Sequence, residues 1–295
     1  MADPQWLARG FEERRPRLTA VAYHMLGSRS DASDAVQEAW LRLNRADASG
    51  IDNLSAWLTT VVAHVCLDML RQRTSRKEEP LGVHLPDPIV SPWPPTQPEH
   101  EAVLADSVGL AMLVVLDTLT PAERLAFVLH DMFAVPFDRI AELLNRSPAA
   151  AKMLASRARR RVQDTPVPDT DLAKQRDVVD AFFAAARDGD FEALVSLLDP
   201  DVVLHGDGGT ARANVTTVIR GAHEVAGQAL MFARLAPFVR PAVVNNAAGA
   251  VVVRDGQAFS VMAFTVTRNR IAGIEVFADP DRLDLVTADL AGGES

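Results

Sequence analysis

The alternation of apolar and polar residues divides the chain into a helical first part and a β-rich last part. Apolar residues recur at helical spacing from about Trp6 to Lys77 and again from Glu99 to Asp164. Later come two helix-like stretches, LAKQRDVVDAFFAAARDGD and FEALVSLL, and then the β-branched runs VVLHG, VTTVIRG, GAVVVRDG, AFSVMAFTVT and RIAGIEVF. The pattern predicts a multidomain protein, with two all-α helical domains followed by an α+β domain that has a curved antiparallel sheet.

Proline-rich stretches mark the predicted domain boundaries. Seven prolines fall between positions 80 and 98, which predicts an extended linker, and the run TPVPDTD predicts a second one. The expected domains and linkers are 1–79 (helical), 80–105 (linker), 106–165 (helical), 166–172 (linker) and 173–295 (α+β).

The segment from Phe137 to Arg161 predicts a helix-turn-helix. Asn145 and Arg146 interrupt a first helix, and Ser147 offers a side-chain cap to a second helix that Pro148 opens. Alanines at helical spacing give this second helix a packing face, and its other side is basic, as a major-groove reader requires. An ordinary helical hairpin with a solvated basic face is the alternative. The residues expected to contact DNA are Lys152, Met153, Ser156, Arg157, Arg159 and Arg160.

The distribution of charge is compatible with a DNA-binding face. The whole chain has a net charge of −9, but residues 136–165 carry seven basic and three acidic side chains, a net of +4. Residues 166–295 carry eleven basic and eighteen acidic side chains, a net of −7. DNA binding needs only local positive potential, and the acidic last domain can compete with DNA for the basic faces.

Several classes of protein are disfavoured by the sequence. The single Cys66 excludes an internal disulfide and has no cysteine partner for a zinc site. The longest purely apolar run, Leu110 to Leu116, is too short to cross a bilayer, and the N-terminus lacks the apolar core of a secretory signal. We expect a cytoplasmic protein with no membrane segment, no metal and no cofactor.

A second distinctive helical pattern is SRSDASDAVQEAWLRLNR at positions 28–45. Its apolar stripe contains Ala32, Val36, Ala39 and Leu43. The opposite face combines acidic, amide and leucine side chains, which is typical of a protein-docking surface, while a solvated amphipathic helix is the alternative. The residues of that face are Asp34, Gln37, Glu38, Leu41 and Arg45.

These segments together resemble a known family. DASDAVQEAWLRL, AWLTTVVAHVCLDMLR, the proline-rich linker, LTPAERLAFVLHDMFAVPFDRIAELL and SPAAAKMLASRARRRV resemble, in order, the ECF (extracytoplasmic-function) sigma factors of the sigma-70 family. The resemblance covers about Phe11 to Val162, and the last domain resembles the SnoaL-like cone fold appended to some of these factors. It implies an alternative sigma factor that binds core RNA polymerase and directs promoter-specific transcription initiation, without catalysis of its own.

The resemblance also implies roles for individual residues. Domain 1–79 corresponds to sigma region 2, which binds core polymerase and the −10 element, and domain 106–165 to region 4, which binds the −35 element. His64 lies where many relatives have an asparagine that captures an unpaired base; a partly buried structural histidine is the alternative. The implied partners are the β′ and β subunits of polymerase and promoter DNA. The implied polymerase contacts are Asp34, Gln37, Glu38 and Leu41, and the implied −10 contacts are His64, Arg71, Arg73, Arg76 and Lys77.

Three short motifs resemble controlling elements of the extended group, and they imply that the SnoaL-like domain tunes activity in cis. They are LPDP at Leu85–Pro88, DGGTAR from Asp207 and ADPDRL from Ala278, although Thr210-Ala211 interrupt the glycine run and Ala278 stands where asparagine is usual. The implied regulatory residues are Asp207, Gly208, Gly209, Arg212, Asp279, Pro280, Asp281 and Arg282.

The sequence is also compatible with other functions. A helix-turn-helix regulator fused to a small-molecule-binding or SnoaL-type enzyme domain is the main alternative, and it predicts duplex binding without polymerase. A proton-transfer site in that domain would use His205 and Asp207. A third possibility, that the SnoaL-like domain senses an unknown small ligand, is compatible with the sigma-factor function. The residues expected in its core or cone lining are Met231, Phe232, Phe259, Met262 and Phe264.

Overall fold

The computed structural model describes residues 4–46, 51–75, 84–94, 109–163 and 165–291. These residues form two compact units. The helical unit contains the described residues up to 75 and those from 115 to 163, so both predicted helical segments belong to it. The α+β unit contains residues 84–94, 109–114 and 165–291, so the described part of the proline-rich stretch belongs to this unit.

Four helices form the first part of the helical unit. Gly27, with a φ of +68°, ends the second helix, and the Ser28 side chain accepts a hydrogen bond from the Asp31 amide to cap the third. The predicted apolar stripe of that third helix is buried in full. The helices are α1 (Pro4–Glu12), α2 (Arg15–Leu26), α3 (Arg29–Arg45) and α4 (Leu54–Ser75).

The second part of the helical unit contains the predicted helix-turn-helix. Asn145, with a φ of +52°, ends its first helix in the left-handed conformation, and the Ser147 side chain accepts a hydrogen bond from the Ala150 amide at 3.2 Å. The alanine face of its second helix is buried as predicted. The elements are α5 (Leu110–Asp117, which begins in the α+β unit), α6 (Pro121–Phe127), a π-helical turn (Val128–Met132), α7 (Phe137–Leu144) and α8 (Pro148–Val162).

Contacts within the helical unit join its two parts. The buried Arg124 of α6 donates through Nε to the His24 carbonyl of α2 at 3.0 Å and pairs with the Asp117 carboxylate. Arg17 of α2 donates to the Phe133 carbonyl at 3.0 Å. The unit therefore holds the two predicted helical domains against each other.

The α+β unit contains one seven-stranded sheet in the order β1-β4-β5-β6-β7-β2-β3. Its elements are β1 (Val90–Pro92), α9 (Leu172–Asp188), α10 (Phe191–Leu197), β2 (Leu198–Asp207), β3 (Thr217–Arg220), α11 (Ala222–Met231), a 3₁₀ turn (Ala233–Phe238), β4 (Val239–Val244), β5 (Ala247–Arg254), β6 (Gln257–Thr267), β7 (Arg270–Phe277) and α12 (Pro280–Ala291).

All five β-rich runs identified in the sequence contribute strands, but the sheet differs from the expectation in two ways. The β2–β7 pair is parallel, whereas every other pair is antiparallel as predicted. Two further strands, β1 and β4, contain Pro92 and Pro241, and proline weakens a strand pattern. The stretch expected to be only a linker thus supplies edge strand β1, which pairs with β4.

Helices α9 and α11 pack on one face of this sheet. Their buried Val179, Phe182 and Val225 join Phe264 and Ile274 of the sheet in one hydrophobic core. Because side chains alternate along a strand, β2 and β7 direct every second residue to this face and the others to the opposite face. This alternation decides which side chains reach the interior of the cone.

Candidate functional site

The predicted docking face of α3 is accessible. Asp34, Gln37 and Leu41 are exposed on α3, and Leu41 has 39% of its surface exposed although it is apolar. Glu38 lies between them, half-buried, and pairs with Arg42 at 2.9 Å. An apolar residue beside carboxylate and amide groups on one helix face provides both an anchor and a charge pattern for a protein partner.

A groove of about 310 Å³ adjoins this face. The Phe11 and Trp40 rings lie 4.9 Å apart at its wall, and the Arg15 guanidinium lies 5.5 Å from the centre of the Phe11 ring. Gln37 and Val36 of α3 also line it. The sequence pattern does not predict this groove, because Phe11 and Trp40 are distant in sequence and meet only through packing.

The predicted −10 residues on α4 differ in accessibility. His64 is exposed, so the alternative of a partly buried structural histidine is wrong. Arg71 is exposed and lies 3.7 Å from Asp68. Arg73 is half-buried and joins helices: it donates to the Leu26 carbonyl at 3.1 Å and pairs with the Asp31 carboxylate. Arg76 and Lys77 lie outside the described residues.

The basic face of α8 is presented as predicted. Met153 has 56% of its surface exposed, and Lys152, Ser156, Arg157 and Arg160 are exposed beside it. The side chains of α8 are distributed as in a recognition helix, because its alanines pack inward and its cations face solvent. This surface is the one that a DNA-reading helix needs, and an ordinary helical hairpin with a solvated basic face would present the same surface.

Arg159 is held by a neighbouring carboxylate. Its guanidinium donates to Asp131 through Nε at 3.1 Å and through Nη2 at 2.6 Å, and these bonds raise the pKa of Arg159. The His130 ring stacks on Phe137 at 3.8 Å, with its Nδ1 3.0 Å from Asp131. His130 is thus a structural residue, and Asp131 reduces the positive potential at this end of α8.

In the α+β unit, two predicted regulatory residues meet the LPDP motif. The buried Asp207 carboxylate accepts the Leu85 amide at 2.8 Å and the Arg282 Nη1 at 3.1 Å. Arg282 donates to the Leu85 carbonyl at 2.8 Å and to Asp87 through Nε at 3.0 Å. We refer to these four residues, Leu85, Asp87, Asp207 and Arg282, as the clasp. Hydrogen bonds to charged groups are among the stronger contacts of proteins.

The DGG turn is shaped to support the clasp. Gly209 has a φ of +58°, and a Cβ there would lie 2.5 Å from the Asp279 side chain. A Cβ on Gly208 would lie 2.1 Å from the Arg212 carbonyl oxygen. The Asp207 carboxylate also accepts the Gly209 amide at 3.0 Å. Glycine is required at both positions because no side chain fits there.

Arg212 and the start of α12 complete the surroundings of the clasp. Arg212 Nη1 donates to the Phe259 carbonyl at 2.6 Å and the Ala278 carbonyl at 3.2 Å. Asp279 accepts the Asp281 amide at 3.1 Å at the beginning of α12, which Pro280 opens. The structure therefore brings together all eight predicted regulatory residues, either in the clasp or in the two segments that frame it.

Further contacts, which the sequence pattern does not predict, hold the proline-rich segment. Ile89 and Asn245 exchange two hydrogen bonds, from the Ile89 amide to Asn245 Oδ1 at 3.0 Å and from the Asn245 amide to the Ile89 carbonyl at 2.9 Å. Strand β1 then continues the pairing with β4. The Trp93 ring lies 5.9 Å from the buried Arg176 guanidinium. Residues 85–93 are thus docked along their length within the α+β unit.

The suggested proton-transfer residues do not reach the cone. Leu204 and Gly206 line the cavity beneath α9, so His205 and Asp207 project from the opposite face of the sheet. His205 Nδ1 lies 4.0 Å from Oε1 of Glu275, whose burial raises its pKa to about 8. Burial, with a smaller effect of Arg220, lowers the pKa of His205. In the described residues no cluster of histidine, cysteine, aspartate and glutamate is arranged to bind a metal.

Comparisons with known proteins identify the family of this chain. The family models for Sigma-70 region 2 and Sigma-70, region 4 match residues 11–76 and 110–162. The chain is 39% identical over 287 residues to ECF RNA polymerase sigma factor SigJ of Mycobacterium tuberculosis, covering 92% of this chain and 91% of that protein. It is 32% identical over 296 residues to the probable ECF RNA polymerase sigma factor SigI of that species, covering 99% of both.

The solved structures include a similar chain over nearly the full length. The crystal structure of Mycobacterium tuberculosis extracytoplasmic function sigma factor SigJ has a TM-score of 0.74 and 36% identity, and it covers 93% of this chain and 97% of that chain. In the described part of this chain, none of the helices has the length and apolarity needed to span a membrane.

Proposed function

This chain belongs to the ECF RNA polymerase sigma factors, and from that premise we propose how its two units divide promoter-specific transcription initiation. The helical unit binds core polymerase and promoter DNA. The α+β unit controls how the segment between the two helical parts is held, and so tunes activity in cis. Nucleotide polymerisation belongs to the partner enzyme, in the cytoplasm, and this chain supplies recognition.

The exposed face of α3 is the proposed contact with core polymerase. Asp34 and Glu38 offer negative charge to a basic polymerase surface, and Leu41 offers an apolar anchor that is accessible in the free protein. The Phe11–Trp40 groove extends the same surface and can accept an apolar side chain of the partner.

The exposed faces of α4 and α8 are the proposed promoter contacts. His64 and Arg71 face solvent on α4, where stacking on an unpaired base and contact with phosphate are both feasible. Lys152, Met153 and Ser156 are presented for base edges in a major groove. We assign Arg157 and Arg160 to phosphates, and Arg159 joins them once it is released from Asp131.

Simultaneous contact with both promoter elements requires the helical unit to open. The −10 and −35 elements lie about 25 base pairs apart, which is about 85 Å at about 3.4 Å per base pair. A compact domain of about 100 residues has a radius of gyration of only about 13 Å. The unit held by Arg124 and Arg17 is therefore the closed form, and polymerase binding separates its two parts.

The observation that carries this function is the exposed acidic face of α3 combined with the exposed basic face of α8, in a chain whose order matches regions 2 and 4. Run-off transcription with purified core polymerase on a genomic promoter library tests it. We expect specific transcripts only when the chain is added, and weak binding of the chain alone to duplex DNA. Tight duplex binding without polymerase, and no transcripts, would favour a helix-turn-helix repressor or activator instead.

Regulation by the last domain has its own test. Ending the chain after Ala278 removes Arg282 and helix α12, and thereby two of the hydrogen bonds that hold Leu85 and Asp87. We expect the transcription output of this truncated chain to differ from that of the full chain on the same promoter. Equal output at equal concentrations of assembled holoenzyme would contradict control in cis.

A further inference from the structure

The α+β unit contains an apolar cavity between its helices and the inner face of the sheet. Its volume is about 110 Å³, which is comparable with the cavities of about 150 Å³ that bind benzene. The walls come from α9, α11, the 3₁₀ turn and the six strands β2 to β7. Its lining includes Phe182, Phe183, Leu204, Val252, Met262 and Ile274.

The chemistry of the lining restricts what the cavity can accept. Among the described residues that line it, none is charged, and only Thr217, Gln228 and Ser260 bring polar side chains. A charged ligand would lose its hydration without gaining an ionic partner there, which costs several kcal/mol. The cavity therefore suits an uncharged, mostly apolar molecule of about one ring in size.

The wall of the cavity is shared with the residues that support the clasp. Phe259 and Ala278 line the cavity, and the carbonyls of both accept hydrogen bonds from Arg212. The Arg212 guanidinium also lies 4.1 Å from the centre of the Phe259 ring. The Ala278 amide donates to the Asp207 carbonyl at 2.7 Å, so the cavity wall is bonded directly to a clasp residue.

We propose that this cavity is an effector site, in which a small uncharged apolar molecule tightens the clasp through Phe259, Ala278 and Arg212. A ligand that fills the void supplies the packing contacts that the lining otherwise lacks, and so restrains the Phe259 ring and the strand end at Ala278. Restraint of these two groups fixes Arg212 and Asp207, and Asp207 then holds Leu85 more firmly. The proposal rests on the regulatory function assigned to the clasp.

Benzene is the probe for the test, with the full chain and without polymerase. Methyl NMR of Val252, Met262 and Ile274 detects entry into the cavity, and amide hydrogen exchange of Leu85 reports the state of the clasp. We expect saturable shifts of these methyl signals and exchange of the Leu85 amide that is about 5- to 100-fold slower with benzene, the usual range of coupling between sites.

Two variants of helix α11 make the test specific. Ala229→Phe, or the milder Ala229→Leu, places bulk in the cavity and is expected to abolish both benzene effects. Met231→Phe places similar bulk on the same helix at a side chain with 70% of its surface exposed, and both effects are expected to persist.

Two results would overturn the proposal. If the methyl signals do not respond to benzene, the cavity does not bind it. If they shift without slower exchange of the Leu85 amide, binding in the cavity does not affect the clasp. Both measurements are made without polymerase. A failure here therefore leaves promoter-specific transcription untouched, and a failure of transcription leaves these measurements interpretable.

Discussion

The Asp207 carboxylate accepts a hydrogen bond from the Leu85 amide at 2.8 Å, across 122 positions of sequence. This bond connects the segment between the two helical parts to the turn that ends β2. The same carboxylate pairs with Arg282, so one buried anion organises three distant segments. This carboxylate therefore holds the segment at Leu85, while Asn245 and strand β4 hold it further along.

Asp207→Asn tests that dependence. The amide side chain keeps the shape of aspartate, but its NH₂ group must face either the Gly209 amide, which Oδ1 accepts, or the Leu85 amide and Arg282, which Oδ2 accepts. We expect amide exchange of Leu85 to become about 10- to 100-fold faster, since hydrogen bonds to charged groups contribute about 1.5–3 kcal/mol. Asp201→Asn, an exposed position on the same strand, is the control. Equal exchange rates in both variants would show that the carboxylate does not hold the segment.

Asp34→Arg combined with Glu38→Arg tests the docking face of α3. Both side chains point away from the buried stripe, so the helix is expected to fold normally. Reversed charge against a basic partner costs several kcal/mol, and we expect the affinity for core polymerase to fall about 100-fold or more. Fluorescence anisotropy of labelled chain with core enzyme measures this. Glu13→Arg with Asp52→Arg, both exposed, matches the change in charge; an equal loss in that control would refute a specific docking face.

Local signals predicted the helix-turn-helix well. The turn depends on Asn145 in the left-handed conformation and on the Ser147 cap, and both residues act on their immediate neighbours. The apolar stripe of α3 was equally readable, because helical periodicity alone determines it. Long-range features could be predicted less well from the sequence. Prolines interrupt β1 and β4, and Asn245 contacts Ile89 across 156 positions.

The placement of His205 shows a second limit of sequence reasoning. Alternation along β2 predicts that His205 and Asp207 share one face of the sheet, and they do. Which face lies against α9 and α11 depends on the packing of the whole unit, and periodicity carries no information about it. The resemblance to the sigma-factor family identified the regulatory motifs in the sequence. Only the folded chain shows that Arg282 contacts both Asp87 and Asp207.

Asp131→Asn tests whether Arg159 is restrained in the free protein. Removing the carboxylate releases a guanidinium that now donates to it at 2.6 Å and deletes a negative charge beside the DNA-binding face. We expect tighter binding of the full chain to duplex promoter DNA and a salt dependence that steepens by about one unit of log K per log salt. The control is Asp138→Asn, which removes one negative charge from α7 at a residue that does not contact Arg159. If the affinity of the two variants for DNA depends equally on salt, Asp131 does not keep Arg159 from a phosphate contact.

Stability is expected to depend on pH through Glu275. Its pKa is raised to about 8 by burial, from an ordinary value of 4.5, so the folded state keeps a proton that the unfolded state releases. The free energy of unfolding should therefore fall as pH rises from about 4.5 to about 8, by at most about 1.4 kcal/mol per unit. Chemical denaturation between pH 7 and 8 measures this effect above the ordinary pKa of His205, which burial lowers further in the folded state. Glu275→Gln should flatten the slope, and Glu192→Gln, at an exposed site, should not; equal slopes in all three proteins would contradict the assignment.

Arg124→Met tests the closed form of the helical unit. The substitution removes the hydrogen bond to the His24 carbonyl, which crosses between the two helical parts, so these parts should separate more often. It also removes the pair with Asp117, which lies within the second part. Nitroxide labels at Asp52→Cys and Gln163→Cys report their distance by electron-spin resonance, and the buried Cys66 should escape labelling because burial raises the pKa of its thiol to about 12. We expect a broader distribution with longer distances than in the parent chain. Arg139→Met, which removes only an exposed pair with Glu142, should leave the distribution unchanged. Identical distributions in both variants would mean that Arg124 does not keep the unit closed.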